Sequence, residues 1–129
     1  MARLTANYEG GTAFRMECRG HSVNIDQPLD NGGADAAMTP PELFAASLAA
    51  CIGHYVAGYC NQAGISTEGL QVESDWDTTE KPKRIGEISF RVTLPGVPEA
   101  RRKAVERVAS SCLLHATLMN PPAVTIELG

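Results

Sequence analysis

One stretch of this sequence limits the folds open to it more than any other. From Leu43 to Cys60 the chain reads LFAASLAACIGHYVAGYC, 18 residues without a charged side chain. Just before it, Thr39-Pro40-Pro41-Glu42 offers a capping hydroxyl, a proline in the first turn and a glutamate three residues after the cap. That combination marks a helix N-terminus. Gly64 can end the helix after about Gln62. The run is apolar nearly all round rather than along one stripe, so the helix is expected to be buried on every side or to cross a membrane. Eighteen residues touch the lower limit of a span. Yet the run is alanine-rich, carries Ser47 and His54, and lacks basic flanks. The reading is a central buried helix, with membrane insertion the alternative.

The rest of the chain supplies strands for that helix to pack on. Arg3–Tyr8, Thr12–Glu17 and Ser22–Asp26 read as short strands, with glycines at 10, 11 and 20 marking the turns. A loop follows at Pro28–Gly33. Beyond the helix, Gln71–Trp76 alternates, and Glu87–Leu94 alternates more cleanly, with Ile88, Phe90, Val92 and Leu94 on one face. Thr78–Arg84 is the hairpin connection. Pro98-Glu99 opens a further helix, and Ser110 or Ser111 could re-cap the chain so that Cys112 starts a second helical piece ending by Asn120. Pro121-Pro122 stops it, and Val124–Leu128 reads as a closing strand. The order βββ-α-ββ-α(α)-β is an α+β pattern with mostly antiparallel sheet. At 129 residues, with no linker or repeat, one domain over 1–129 is expected.

Composition narrows the function classes. The net charge is -4, and the one dense basic cluster, Arg101-Arg102-Lys103, stands among Glu99 and Glu106 on a helix. That is a solvated face rather than the basic stripe a nucleic-acid binder needs. Aromatic residues are only 5%, and a core of small side chains buries little per residue, which favours help from a partner subunit. The N-terminal MARLTANYEGG has no apolar run and so no secretory signal. A cytoplasmic location is therefore expected, where four cysteines are core filler, metal ligands or reactive thiols rather than structural disulfides.

Two cysteines have company. Cys51 in mid-helix is followed by His54, and Cys112 by His115, each at the spacing that shares a helical face. A histidine can bias a nearby thiol toward thiolate, and a helix N-terminus at Cys112 would lower that thiol's pKa. Two Cys-x-x-His units also form a valid zinc ligand set, although structural zinc draws its ligands from short knuckles more than from buried helices. The blander reading is a pair of small core side chains. His21, Cys18 and Cys60 have no distinctive setting.

A resemblance weighs on that choice. Thr39-Pro-Pro-Glu-Leu-Phe-Ala-Ala-Ser-Leu-Ala-Ala-Cys51 resembles the central-helix motif of the OsmC/Ohr family, the osmotically inducible and organic-hydroperoxide-resistance proteins. Ala109-Ser-Ser-Cys112-Leu-Leu-His115-Ala-Thr117-Leu118 resembles that family's second cysteine motif. The element order matches over nearly the whole chain. The resemblance implies an OsmC-like fold in an intertwined homodimer, and a peroxidase of oxidative-stress defence that needs no cofactor. Cys51 would reduce an organic hydroperoxide and become a sulfenic acid. Cys112 would resolve it to a disulfide, opened in turn by a dithiol such as a lipoyl protein. Arg15 is the positional match for the family's thiolate-holding arginine, with Arg19 the alternative. Typical members place an arginine-orienting glutamate directly after the motif's proline; here Pro41 stands there and Glu42 falls one residue later. On that departure rests a second expectation, a dimer that binds a small hydrophobic or electrophilic ligand without turnover.

Overall fold

The structure, a computed structural model, describes residues 2–129. It divides into two compact units, the first ending at Phe44 and the second beginning at Ala45.

In the first unit, β1 (Thr5–Tyr8), β2 (Phe14–Cys18) and β3 (His21–Ile25) form an antiparallel meander in the order β1-β2-β3. The registers Ala6↔Met16, Tyr8↔Phe14, Phe14↔Ile25 and Met16↔Val23 collect the apolar side chains on one face. Thr5, Asn7, Arg15, Glu17, Ser22 and Asn24 alternate onto the other. The sheet is anchored at its end by Asp26, whose carboxylate is buried. It accepts hydrogen bonds from the Thr12 hydroxyl and from the backbone N–H groups of Ala34 and Ala36. These bonds, the Thr12 hydroxyl's first among them, together with the Gln27 backbone, hold its pKa down to about 2, against an opposing effect of burial.

Helix α1 (Pro40–Ala63) begins in this unit and continues into the second. Its start is a reciprocal capping box: the Glu42 carboxylate accepts from the Thr39 N–H at 2.8 Å, and the Thr39 hydroxyl accepts from the Glu42 N–H at 3.3 Å. At its end Gly64 takes φ 71, a left-handed conformation that glycine adopts without penalty, while the Ile65 N–H closes onto the Cys60 carbonyl. Within the single chain, α1 is buried along one face only. Only Ala45, Leu48, Ile52, Val56 and Cys60 are buried, one stripe at helical spacing, and Phe44 and Tyr55 on other faces are exposed. By length and composition α1 could cross a membrane, a test that the core helix of a soluble protein also passes.

In the second unit, β4 (Gln71–Thr79) and β5 (Arg84–Thr93) form an antiparallel hairpin. The pairs Val72↔Val92, Ser74↔Phe90 and Trp76↔Ile88 set a half-buried apolar face. A 3-10 turn at Glu99–Arg101 leads into α2 (Arg102–Ala109), and α3 (Leu113–Met119) follows. The core of this unit joins Ile52, Val56 and Cys60 of α1 to Ile65, Leu94, Val105 and Cys112.

The closing strand expected at Val124–Leu128 is not formed. Residues 121–129 carry no regular structure, and Ile126 and Leu128 are 94% and 102% exposed. The alternating pattern that suggests a strand is there; a partner edge within the described chain is not.

Candidate active site

The two family-motif cysteines come together in the second unit. Cys51 sits on the flank of the buried stripe of α1, half-buried and packed against the core cluster that contains Cys112. Cys112 is 0% exposed. The Cys51 side chain lies near enough to act electrostatically on Cys112, and both thiols are free rather than bridged.

Local sequence explains how Cys112 is held. It is the N-cap of α3, with φ -65 and ψ 150, and its own Sγ accepts from the His115 N–H at 3.2 Å. Ser110 and Ser111, the expected capping residues, instead donate their hydroxyls back to the carbonyls of Glu106 and Arg107, at 3.1 and 2.8 Å. They close α2 and leave the cap to the sulfur. The expected lowering of the Cys112 pKa is also corrected: it is raised. Burial is the largest cause, opposed by the His115 N–H and reinforced by the Cys51 sulfur alongside. One short helix end cannot outweigh the loss of solvent around the anion.

The remaining candidates have other partners. His54 is exposed and stands edge-on to the Tyr55 ring at 5.8 Å. His115 is exposed as well, and it serves Cys112 through its backbone rather than its ring. Among the described residues neither imidazole is hydrogen-bonded to a thiol, and no three His, Cys, Asp or Glu side chains converge to hold a metal ion. In the first unit, Arg15 projects from the polar face of the meander and pairs with Glu17 at 3.0 Å. Arg19 occupies the β2–β3 turn with φ 52. The Glu42 carboxylate is engaged in the capping box, which also lowers its pKa through the backbone and side chain of Thr39. Cys60 is buried in the core and its thiol pKa is pushed up by that burial.

Sequence reasoning missed two features. The Asp26 knot has no signature beyond a carboxylate at a strand end. The second is a cavity of about 350 Å³ between β5 and α2, with Phe90, Val92, Leu94, Val97 and Val105 as its apolar lining and Arg102 and Glu106 as its charged residues. Its signal in the sequence is faint: the alternation of β5 continues through Leu94 opposite a helix whose apolar residues are small.

The sequence matches a protein-family model described as OsmC-like protein over residues 32–127. This chain belongs to the OsmC-like family. The match takes in both cysteine motifs and nearly everything after the meander. Solved structures extend the likeness to the N-terminal strands. A Psychrobacter arcticus protein, described as an osmotic stress induced and detoxification response protein, superposes with a TM-score of 0.82 at 22% identity, over 91% of this chain and 88% of that one. An organic hydroperoxide resistance protein from Legionella pneumophila gives 0.69 at 23% identity, covering 92% and 88%. One from Elizabethkingia anophelis, with crystallant-derived thiocyanate bound, gives 0.70 at 23%, covering 91% and 87%. At such identities these likenesses concern the fold: the OsmC-like α+β architecture of antiparallel sheets and a long helix. No curated protein matches the sequence.

Proposed function

We propose that this OsmC-like protein reduces organic hydroperoxides with Cys51 as the attacking thiol and Cys112 as the resolving one. The observation that supports this most directly is the packing of two free cysteines of unequal burial in one cluster, one half-open and one fully enclosed. The peroxidatic thiolate must meet substrate, which suits Cys51. The resolving thiol need only meet the first sulfur, which suits Cys112.

The Cys51 thiolate attacks the terminal oxygen of the hydroperoxide. The O–O bond breaks, the alkoxide leaves and takes up a proton as the alcohol, and Cys51 becomes a sulfenic acid. Cys112 gives up its proton and attacks that sulfur as the thiolate; the S–O bond breaks, the hydroxide leaves with that proton as water, and a disulfide forms. A dithiol returns both cysteines to thiols by exchange and is itself oxidised to its cyclic disulfide. Burial favours the protonated form of Cys112 ahead of this step. Arg15 is the proposed guanidinium for the thiolate, with Arg19 the other candidate. Arg15 would have to leave Glu17 to serve, and Glu42 would have to leave its capping box to orient it.

The same reading includes a homodimer. Among the apolar surfaces that a single chain leaves uncovered are three: Leu4, Tyr8, Phe14 and Val23 of the meander region, Phe44 and Tyr55 of α1, and the alternating tail Val124–Leu128. A second copy is the natural cover for all three.

The test is turnover of cumene hydroperoxide with dithiothreitol. Wild-type protein should consume the peroxide, and Cys51→Ser should reduce consumption to the protein-free rate. A wild-type protein without turnover would remove the enzymatic reading. The second reading, a binder of a small hydrophobic or electrophilic ligand, is favoured by the cavity between β5 and α2. Wild type without turnover, yet binding an apolar fluorophore that Val105→Trp displaces, would support it.

A further inference from the structure

The polar face of the meander gathers more positive charge than the proposed reaction uses, since that reaction needs one guanidinium. The turn between β2 and β3 is only two residues long, Arg19-Gly20, flanked by the pair Cys18↔His21. Both residues have positive φ, 52 and 81, as a tight hairpin turn requires. Gly20 meets that requirement freely. At the first position Asn, Asp or Gly is the usual occupant, because a long side chain there works against its own Cβ. This chain places an arginine there.

Arg19 borders a groove of about 360 Å³. The strand register accounts for the other walls: Thr5 and Ser22 both stand opposite Glu17, and Arg15 lies two residues from Glu17 on the same face. Arg3 extends the line just ahead of β1. Three guanidiniums therefore share one carboxylate. Arg15 takes it, at 3.0 Å. Arg3 and Arg19 have no ion pair and no side-chain hydrogen bond among the described residues. This concentration of positive charge stands in a chain of net charge -4. Gathered guanidiniums repel one another, and an anion in the groove relieves that repulsion. Guanidinium forks beside hydroxyl groups also match the geometry of a tetrahedral oxyanion.

We propose that this groove is a binding site for a small soluble anion of the phosphate type, with Arg3 and Arg19 as its principal donors and Thr5 and Ser22 beside them. The more charged pyrophosphate should bind more tightly than orthophosphate, and acetate should bind least. The proposal takes Arg15 as the guanidinium for the thiolate, which leaves Arg3 and Arg19 to the anion; the groove lies wholly within the first unit, and anion binding there stands whether or not the protein reduces peroxides.

The experiment is a titration of the full-length protein with sodium pyrophosphate and with inorganic phosphate at constant ionic strength, followed by amide and arginine side-chain resonances. Saturable shifts at Arg19, Gly20 and Ser22 are expected. The double variant Arg3→Gln/Arg19→Asn should weaken the affinity at least tenfold, and asparagine suits the turn, so the fold should survive. Arg3→Gln alone leaves the turn untouched and should give a smaller loss, which keeps the test valid if the double variant misfolds. Shifts that chloride reproduces, or an affinity the variants leave unchanged, would overturn the proposal. So would binding to phosphatidylglycerol vesicles with no response to the soluble phosphates, which would make the groove a membrane contact.

Discussion

Cys112 shows how one residue's surroundings can reverse an expectation built on its position. Its place at a helix start argues for an easily formed thiolate, yet it is fully enclosed, and the enclosure dominates. The consequence is a pH dependence with a definite sign. If Cys112 resolves the sulfenic acid, disulfide formation measured in stopped flow should accelerate about tenfold per pH unit through neutral pH and keep rising beyond the ordinary thiol range near 8.5. Because the folded pKa is raised, the thiol's contribution to stability is full below the unfolded value and is lost as pH climbs through the folded one. Asp26 behaves in the opposite sense. Its folded pKa, about 2, is depressed, so its contribution is full above the unfolded value near 3.9 and fades as pH falls toward 2. In Asp26→Asn, acid unfolding between pH 4 and 2 should lose most of its steepness, and the variant should melt lower than wild type at pH 7; urea melts across that range would show both. The two cysteines were legible as candidates from their contexts. Asp26 was not, since its partners at Thr12, Ala34 and Ala36 are set by how a loop folds back.

Among the elements, α1 was the most legible because its signals are local. Thr39, Pro40 and Glu42 fix where it starts and Gly64 where it ends, and the structure agrees to within a residue or so. Thr39→Ala removes one half of the capping box and should cost about 1 kcal/mol in urea denaturation; a cost near zero would mean the box adds nothing. Legibility fell away where an element depends on what lies outside it. The burial of α1 could not be read from its sequence, because a helix apolar all round looks the same whether its second face meets its own chain or another. The tail is the sharper case. Val124, Ile126 and Leu128 carry the alternation of a strand, but a strand is a pairing, and the described chain offers it no edge.

These open surfaces matter most for the whole molecule. A 13.7 kDa chain with small core side chains, an exposed meander face and an unpaired apolar tail buries little for its size. Assembly with a second copy answers all three. Sedimentation should accordingly report about twice the chain mass, and deletion of residues 124–129 should weaken the assembly at micromolar concentration. A monodisperse monomer at full length would contradict the dimer. Family membership and fold stand apart from that question, since they rest on the match over residues 32–127 and on superpositions covering nine-tenths of the chain. Whether Cys51 and Cys112 work as a pair is read from mass mapping of the reduced protein after one equivalent of cumene hydroperoxide. A Cys51–Cys112 disulfide is expected, with Cys18 and Cys60 still reduced. Untouched cysteines, or Cys51 carried on to sulfinic acid with Cys112 free, would contradict it.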